Sequence, residues 1–409
     1  MKPITSESFD PIGEFYTNHP FPPPLDNLER ALELYQDENV RRSEFHLLWP
    51  NREYSEDLDV LIAGCGTWQA AKYALTHPAA RVVAIDVSTT SLEHTERLKQ
   101  KYNLTNLDVR RLSIERAADL DHSFDHVICT GVLHHLVDPE AGLRALRSVL
   151  NRDGAMYLMV YAPYGRAGVY MMQEYCRRLG VGTSAAEIEE LIKVLRMLPE
   201  HHPLLSAQGG RREFNADALA DALLNPRERA YSVPQVFELL DNNELMFGRW
   251  YWQAAYMPRC GAIATTPLAN RLKELPEREQ YAAMELWRGL MGNHSVVAYR
   301  KDGAAAKVSF DDDGDYARYV PVRFHWTMCL QQSLPPGAAG VLINPTHVFD
   351  DLFVIISARE KQMLDGIDAH RNIAEIMEHA NESDPNVARE FFEKLWLHDQ
   401  AVFDTSQAG

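Results

Sequence analysis

A chain of 409 residues exceeds the size at which one hydrophobic core usually keeps growing, so we expect a main domain and at least one further domain. Apolar residues make up 46% of the chain, yet no run of about 18 of them could cross a bilayer. A formal net charge of −17 disfavours general electrostatic binding of nucleic acid. Since the opening residues lack a secretion signal, we expect a cytoplasmic protein without nucleic-acid or membrane partners.

The cysteines predict neither a disulfide framework nor a zinc site. They are odd in number and scattered, and none forms a close pair: Cys65, Cys129, Cys176, Cys260 and Cys329. Zinc sites and small disulfide scaffolds use closely paired cysteines. We therefore expect reduced thiols and no metal.

Residues 1–57 form an N-terminal arm in our interpretation. An aromatic and proline-rich opening, FYTNHPFPPP, precedes a helical pattern that we expect to run from Leu25 to Leu48. Such an arm would close over a site at the sheet edge, which makes Tyr16 and His19 candidate substrate-binding residues.

From Leu58 to Tyr161, short apolar runs alternate with helical segments. This alternation predicts a parallel sheet with helices on both faces. Thr90 with Glu93 has the spacing of a capping box, and Asp138 before Pro139 suits an N-cap and the first helical position.

The sheet pattern is interrupted by two predicted helical insertions, at about 168–230 and 258–290, within a domain of residues 58–301. Between the insertions, Phe247–Tyr256 is predicted as one strand, with Trp250 and Trp252 on one face and packed in the core. His294–Arg300 is predicted as the last strand of the sheet.

Residues 305–409 are predicted to form an acidic accessory domain after a small-residue linker at Gly303–Ala306. The chain beyond Lys301 holds about 18 acidic and 8 basic residues. Strand-like runs are followed by helices, one of which begins at Asp384 and Pro385. We expect a small winged-helix-like α/β domain that serves substrate recognition, dimerisation or lid support; whether the chain is a homodimer stays open.

The first predicted strand runs into Gly64, Cys65 and Gly66, and the second ends on Asp86 about 20 residues later, a pattern typical of adenosine-type ligand sites. Glycines allow a tight turn and close approach of the ligand, while the carboxylate can accept hydrogen bonds from ribose hydroxyls. A dinucleotide site is disfavoured, because Gln69 stands where its third glycine would be.

The chain resembles the class I S-adenosylmethionine-dependent methyltransferases in four motifs: VLIAGCGTW (60–68), VVAIDVS (82–88), FDHVICTGVLHHL (124–136) and RDGAMYLMVY (152–161). The resemblance implies a Rossmann-like seven-stranded sheet whose last strand is antiparallel. It also implies S-adenosylmethionine as cofactor. Ile62 and Trp68 depart from the family pattern, which has an acidic and a small residue at these positions.

The resemblance further implies the cofactor-binding residues. Glycines would line the methionine part, the carboxylate would hold the ribose, the next positions would contact adenine, and the fourth strand would border the sulfonium. In chain order these are Gly64, Cys65, Gly66, Asp86, Val87, Ser113, Ile114, Thr130 and Gly131.

His134 is the candidate catalytic residue, although a packed or capping histidine explains it equally well. On an α-helix, adjacent His134 and His135 would diverge by about 100° and could not chelate one metal. Tyr161, Tyr164 and Arg166, which surround the end of the fifth predicted strand, complete the candidate substrate site.

The sequence thus predicts a methyltransferase for a small-molecule acceptor whose O, N or S nucleophile is undetermined. Two alternatives stay open: a peptide or carrier-bound substrate presented by the C-terminal domain, or a non-catalytic S-adenosylmethionine-binding protein.

Overall fold

The computed structural model describes residues 11–207, 212–303, 307–311 and 315–408, which fall into two compact units. The first unit comprises the described part of Met1–Glu29 together with Asp57–Ser232 and Gly289–His294. The second comprises Arg30–Glu56, Val233–Arg288 and the described part of Ser295–Gly409. Each unit is therefore assembled from three separate stretches of chain, and the predicted division at residues 57 and 305 stays a prediction.

The strands alternate with helices in the first half of the chain and cluster in its last quarter. In chain order they are β1 (Asp59–Ala63), β2 (Arg81–Asp86), β3 (Leu107–Arg111), β4 (Phe124–Thr130), β5 (Leu150–Tyr161), β6 (Leu245–Trp250), β7 (Asn293–Arg300), β8 (Val320–Arg323), β9 (Met328–Leu330), β10 (Gly340–Ile343), β11 (Phe353–Ile356) and β12 (Ala401–Asp404).

The helices are short to medium in length, and no described helix combines the length and apolar content needed to span a bilayer. In chain order they are α1 (Pro11–Asn18), α2 (Glu29–Leu34), α3 (Glu38–Leu48), α4 (Gln69–Thr76), α5 (Thr89–Tyr102), α6 (Pro139–Ser148), α7 (Ala167–Leu179), α8 (Ala185–Leu195), α9 (Pro203–Ala207), α10 (Ala216–Leu224), α11 (Val233–Asn242), α12 (Ala269–Lys273), α13 (Glu277–Arg288), α14 (Ala358–Asp365), α15 (Ile373–His379) and α16 (Pro385–Leu397).

Strands β1 to β7 form one sheet in the order β3-β2-β1-β4-β5-β7-β6. The neighbours among β1 to β5 pair in parallel, whereas β6 and β7 pair antiparallel. The side chains of β1 from Val60 to Ala63 are fully buried, as expected of a central strand covered on both faces. The predicted α/β fold with a Rossmann-like seven-stranded sheet is confirmed.

The predicted helical insertion after β5 forms helices α7 to α10 of the first unit. They pack around an apolar core that includes Phe15 of α1 together with Met172, Leu191 and Leu219. Ser184 begins α8 with a capping box in which Glu187 returns the hydrogen bond. Gly209 and Gly210, where the sequence predicts an interruption, lie outside the described residues.

The C-terminal part of the second unit contains two small sheets. β9, β10 and β11 form an antiparallel three-stranded sheet, and β12 pairs antiparallel with β8. The helices α14 to α16 share a core with these strands, in which Phe391, Phe392 and Phe403 are fully buried. Asp384 caps α16 as predicted, while positions 304–306 of the predicted linker lie outside the described residues.

Three local predictions are wrong. The N-cap of α5 is Ser88, whose side chain accepts from Ser91 N, so Thr90 lies within the first turn. The predicted helix from Leu25 to Leu48 is divided into α2 and α3, because Asp37 caps a new helix. The strand predicted to reach Tyr256 ends at Trp250, which is fully buried as predicted, whereas Trp252 lies beyond the strand and is only partly buried.

Candidate functional site

A glycine turn follows β1 at the carboxyl edge of the sheet. Gly64 has φ +76° and Gly66 has φ +55°, a region that residues with a Cβ rarely adopt. A Cβ on Gly64 would lie 2.3 Å from Cγ2 of Val132. Backbone conformation and packing therefore both require glycine at position 64.

The carboxylate of Asp86 joins the end of β2 to this turn. It accepts backbone N–H bonds from Gly66 and Ser88, each at 2.9 Å. Burial raises the pKa of Asp86, and the backbone N–H donors offset only part of that effect. The two pieces of the predicted adenosine site therefore lie in direct contact.

The remaining predicted cofactor residues cluster at neighbouring strand ends. Thr130 ends β4, and its hydroxyl contacts the Gln69 amide, 3.1 Å away. Gly131, with φ +79°, has no atom closer than 3.6 Å to the position of an added Cβ. Ser113 and Ile114 begin a 3₁₀ helix shortly after β3.

Two predicted cofactor residues differ in exposure. Cys65 is fully buried within the glycine turn, and burial raises the pKa of its thiol. Val87, beside Asp86, keeps part of its surface exposed. The thiol is therefore protonated and enclosed, whereas Val87 is accessible for packing.

The N-terminal arm lies over the glycine turn. The hydroxyl of Thr67 donates to the carbonyl of Pro22 at 2.7 Å, and a Cβ on Gly66 would lie 2.8 Å from Cδ of Pro22. At the start of α5, Ser88 Oγ donates to the carbonyl of Tyr16 at 2.9 Å, and Thr90 Oγ1 donates to that of Thr17 at 2.7 Å. Side-chain hydrogen bonds therefore hold the arm at the carboxyl edge.

Asp221, which sequence reasoning missed, connects two of the predicted substrate residues. Its buried carboxylate accepts from the phenols of Tyr16, at 2.7 Å, and Tyr161, at 3.2 Å. The amide of Asn225 donates to the Tyr16 hydroxyl at 3.0 Å. The carboxylate thus connects the arm, the end of β5 and α10. The only hint in the sequence is an acidic residue inside the apolar stripe of α10.

His134 is fully buried beside this network, with its ring centroid 3.9 Å from that of Tyr161. Burial is the main reason that its pKa falls well below the usual 6.5, and His135 and Arg166 lower it further. Neither ring nitrogen of His134 has a hydrogen-bond partner among the described residues. The neutral imidazole therefore keeps one donor and one acceptor nitrogen for a hydrogen bond.

His135 is held differently from its neighbour. Its Nδ1 lies 2.7 Å from the carbonyl oxygen of Arg227. Both histidines lie in a short 3₁₀ helix, Leu133–His135, rather than on the α-helix assumed from the sequence. Within the described residues, no three His, Cys, Asp or Glu side chains lie together as a metal site would require.

The fold places only some of the other predicted substrate residues close to one another. Arg166 lies over the Tyr161 ring, 3.6 Å from its centroid, but its guanidinium is paired with Glu228 at 3.0 Å. Tyr164 is exposed. His19 lies 3.6 Å from Asp217, at the edge of the network. Tyr16, Tyr161, His134 and Arg166 therefore form the compact part of the predicted set.

One family of known proteins matches the part of the chain that contains the glycine turn. Residues 61–156 match the family model described as "Methyltransferase domain". This part of the chain is therefore similar to a methyltransferase domain. The match spans β1 to β5, and therefore includes the glycine turn, Asp86, Thr130 and His134.

The curated relatives match different shares of this chain. An uncharacterized protein of Synechococcus is 29% identical over 56% of this chain and 56% of its own length. A ubiquinone biosynthesis O-methyltransferase of Xanthomonas campestris is 34% identical over 29% of this chain and 51% of its own length. One from Neisseria meningitidis is 31% identical over 24% and 42%. The chain spans about half the length of the curated relatives it matches.

Two solved structures are similar to most of the chain. PKMT2 from Rickettsia typhi has a TM-score of 0.64 and 14% identity, over 93% of this chain and 76% of that chain. Its complex with AdoHcy has a TM-score of 0.62, over 90% and 75%. At this identity the similarity concerns the fold. These structures bear out the predicted fold, and the predicted resemblance to methyltransferases is confirmed over residues 61–156.

Proposed function

We propose that the chain transfers the methyl group of S-adenosylmethionine to a small-molecule acceptor. The observation that carries this proposal is the hydrogen bond between Asp86 and the turn at Gly66, inside the residues that match a methyltransferase domain. Neither the matched family nor the turn identifies the acceptor, which the residues beside the turn must select. We also propose a cytoplasmic location, in keeping with the sequence.

The site residues suit the cofactor as follows. Gly64 would line the methionine part through its backbone, and the open space at Gly131 would allow close approach of the sulfonium. The carboxylate of Asp86 would accept hydrogen bonds from the ribose hydroxyls. Thr130 would border the sulfonium from the end of β4. The adenine would lie against a separate group of side chains: Val87, Ser113 and Ile114.

Methyl transfer from a sulfonium is a direct displacement, for which S-adenosylmethionine supplies an activated methyl carbon. The protein must hold the nucleophile in line and keep water away. In our proposal, Tyr16 and Tyr161, fixed by Asp221, form the wall that orients the acceptor. Neutral His134 would take the proton that a hydroxyl acceptor releases, whereas a thiolate or free amine would not need it.

Release of S-adenosylhomocysteine from purified protein tests the proposal. The assay supplies S-adenosylmethionine with a panel of thiol, amine, hydroxyl and carboxyl acceptors. Turnover that is lost in Asp86→Ala supports methyl transfer. Tight cofactor binding without turnover on any acceptor would instead favour a binding protein, the alternative that the sequence leaves open.

Replacing His134 by glutamine separates proton transfer from cofactor binding. For a hydroxyl acceptor, we expect kcat to fall by about 10²- to 10⁴-fold, the usual contribution of a positioned base. The affinity for S-adenosylhomocysteine should be unchanged. Because the pKa of His134 is well below 6.5, wild-type kcat should stay constant as the pH falls through 6.5.

His201→Gln, an exposed histidine of the same unit, is the matched control and should keep wild-type kcat. Full activity of the His134→Gln variant at every pH, with a hydroxyl acceptor, would remove this residue from the mechanism. A kcat that halves near pH 6.5 in the wild-type protein, but not in the variant, would contradict the lowered pKa.

Replacing Asp221 by asparagine should loosen the acceptor wall. The amide retains one acceptor oxygen but presents N–H groups to the second phenol, so at least one hydrogen bond to a charged group is lost. We expect the free energy of unfolding to fall by about 1.5–3 kcal/mol. KM for the acceptor should rise more than kcat falls, because Asp221 positions the tyrosines.

Denaturant unfolding and steady-state kinetics check this expectation. The control is Asp119→Asn, which removes an exposed carboxylate from the same unit. Equal stability and equal KM for Asp221→Asn and wild type would show that the two phenols do not depend on the carboxylate.

A further inference from the structure

The ring of His94 lies between the glycine turn and the N-terminal arm. It projects from α5 and is almost fully buried. Its Nδ1 is 3.0 Å from the carbonyl oxygen of Thr67, in the turn, and its Nε2 is 3.1 Å from a carboxylate oxygen of Asp26, in the arm. All three residues belong to the first unit. One side chain therefore contacts both the turn that we assign to the cofactor and the arm that lies over it.

Both partners of the His94 ring are hydrogen-bond acceptors. A backbone carbonyl and a carboxylate have no proton to give, so the imidazole donates to both only when each of its nitrogens carries a proton. The positive charge of that form would face the negative charge of Asp26. The ring can therefore bridge the arm and the turn with a donor at each end.

The same helix fixes the position of the turn. The hydroxyl of Thr95, the residue after His94, lies 3.0 Å from the carbonyl oxygens of both Gly66 and Thr67. On the other side of the turn, Asp86 accepts the N–H of Gly66 at 2.9 Å. The turn is thus held by α5 through its carbonyl groups and by Asp86 through an N–H group.

The last turn of α5 also holds the arm. Lys101 Nζ donates to the carbonyl of Asp26 at 2.5 Å, and the N–H of Leu28 donates to the hydroxyl of Tyr102 at 2.8 Å. His94 contributes to these contacts with the arm as well as to the contacts with the turn. The position of the arm is therefore tied, through one helix, to the position of the turn.

The two ends of the bridge differ in burial. The side chain of Asp26 is 91% exposed, whereas that of His94 is 4% exposed. Removing an exposed carboxylate leaves no cavity, and an exposed charge contributes little stability by itself. An effect of Asp26 on ligand binding at the turn would therefore point to the ring that joins them.

We propose that His94 is a positioning residue for the cofactor: by donating to Thr67 and Asp26 together, it holds the arm over the glycine turn in the arrangement that binds S-adenosylmethionine. The inference rests on the proposed function in one respect, because it takes the turn as the cofactor site. His94 acts through its neighbours rather than on the methyl group. A site arranged in advance binds more tightly, because less ordering remains to be done when the ligand arrives.

Calorimetric titration of the full chain with S-adenosylhomocysteine tests the proposal. Asp26→Ala removes the acceptor in the arm. His94→Asn keeps an N–H donor near the position of Nδ1 but is too short to reach Asp26. The double variant combines the two changes, and Glu14→Ala, which removes an exposed carboxylate from α1 of the same arm, is the matched control.

We expect each single variant to bind S-adenosylhomocysteine about threefold to tenfold more weakly than wild type, the net contribution of one hydrogen bond. The double variant should bind no more weakly than the weaker single variant, because both changes break the same bridge. Glu14→Ala should keep wild-type affinity. The midpoint temperature of thermal unfolding should be unchanged in Asp26→Ala, since the expected loss concerns position rather than folding.

Three results would overturn the inference while leaving the cofactor site in place. They are wild-type affinity in Asp26→Ala, additive losses in the double variant, and an unfolding midpoint of Asp26→Ala that falls together with the affinity. Absence of binding to the wild-type chain would overturn the assignment of the turn to the cofactor, and the inference with it.

Discussion

Replacing Asp86 by alanine should weaken binding of S-adenosylhomocysteine by about tenfold to a hundredfold. The expected loss equals the roughly 1.5–3 kcal/mol contributed by a hydrogen bond to a charged group. The same carboxylate accepts the N–H of Gly66, so the variant also loses the contact that fixes the glycine turn. Isothermal titration calorimetry measures the change directly.

Asp108→Ala is the control, since it removes an exposed carboxylate from the neighbouring strand β3. It should leave the affinity unchanged. Wild-type affinity in Asp86→Ala would rule out the ribose assignment. Because the pKa of Asp86 is raised, wild-type affinity should begin to fall, as the pH is lowered, at a higher pH than an ordinary aspartate would produce.

Replacing Gly64 by alanine should destabilise the first unit more than the same change at Gly131. Both positions have positive φ, which costs an L-residue about 1–2 kcal/mol. Only at Gly64 does the added Cβ meet another side chain, with Val132 Cγ2 at 2.3 Å. Overpacking of this kind adds about 1–3 kcal/mol. The midpoint temperature of thermal unfolding and the affinity for the cofactor should both be lower in Gly64→Ala than in Gly131→Ala.

The double variant Gly64→Ala with Val132→Ala isolates the clash. Removing the two Cγ atoms of Val132 should relieve the clash with the new Cβ. The double variant should therefore lose less stability than the sum of the losses in the two single variants. Additive effects, or equal stability of Gly64→Ala and Gly131→Ala, would mean that the turn relaxes to accept the side chain.

The geometry of the predicted cofactor side could be derived from the sequence because its signals are local. An apolar run ending at Ala63, two nearby glycines and a carboxylate at the end of the next run together specify a strand, a turn and a second strand. In a parallel sheet these ends necessarily meet at one edge. Gly64, Gly66 and Asp86 therefore needed no knowledge of distant parts of the chain.

The hydrogen bonds around Asp221 could not be predicted in this way. Tyr16 and Asp221 are 205 positions apart, and their contact depends on how α1 and α10 pack against the end of β5. Neither the spacing of apolar residues nor the position of turn residues in the sequence predicts such a contact. The same limit applies to Arg166, which the sequence offers as a candidate substrate residue and which the fold pairs with Glu228.

Errors in helix and strand ends have a simpler cause. Thr90 and Ser88 are both good capping residues, and only the backbone after Asp86 decides which one begins α5. The pattern of alternating aromatic residues continues beyond Trp250, but the chain leaves the ladder there. Side-chain pattern alone does not show where backbone pairing stops.

The interleaving of the two units has a consequence for synthesis on the ribosome. The first unit lacks Gly289–His294 until most of the chain has been translated. The second begins near residue 30 and needs β12, whose following residue Thr405 donates its N–H to the carbonyl of Pro50 at 2.6 Å. Neither unit is therefore complete when its first segment emerges. The nascent chain must keep the apolar strands β1 to β5 from aggregating until later segments arrive.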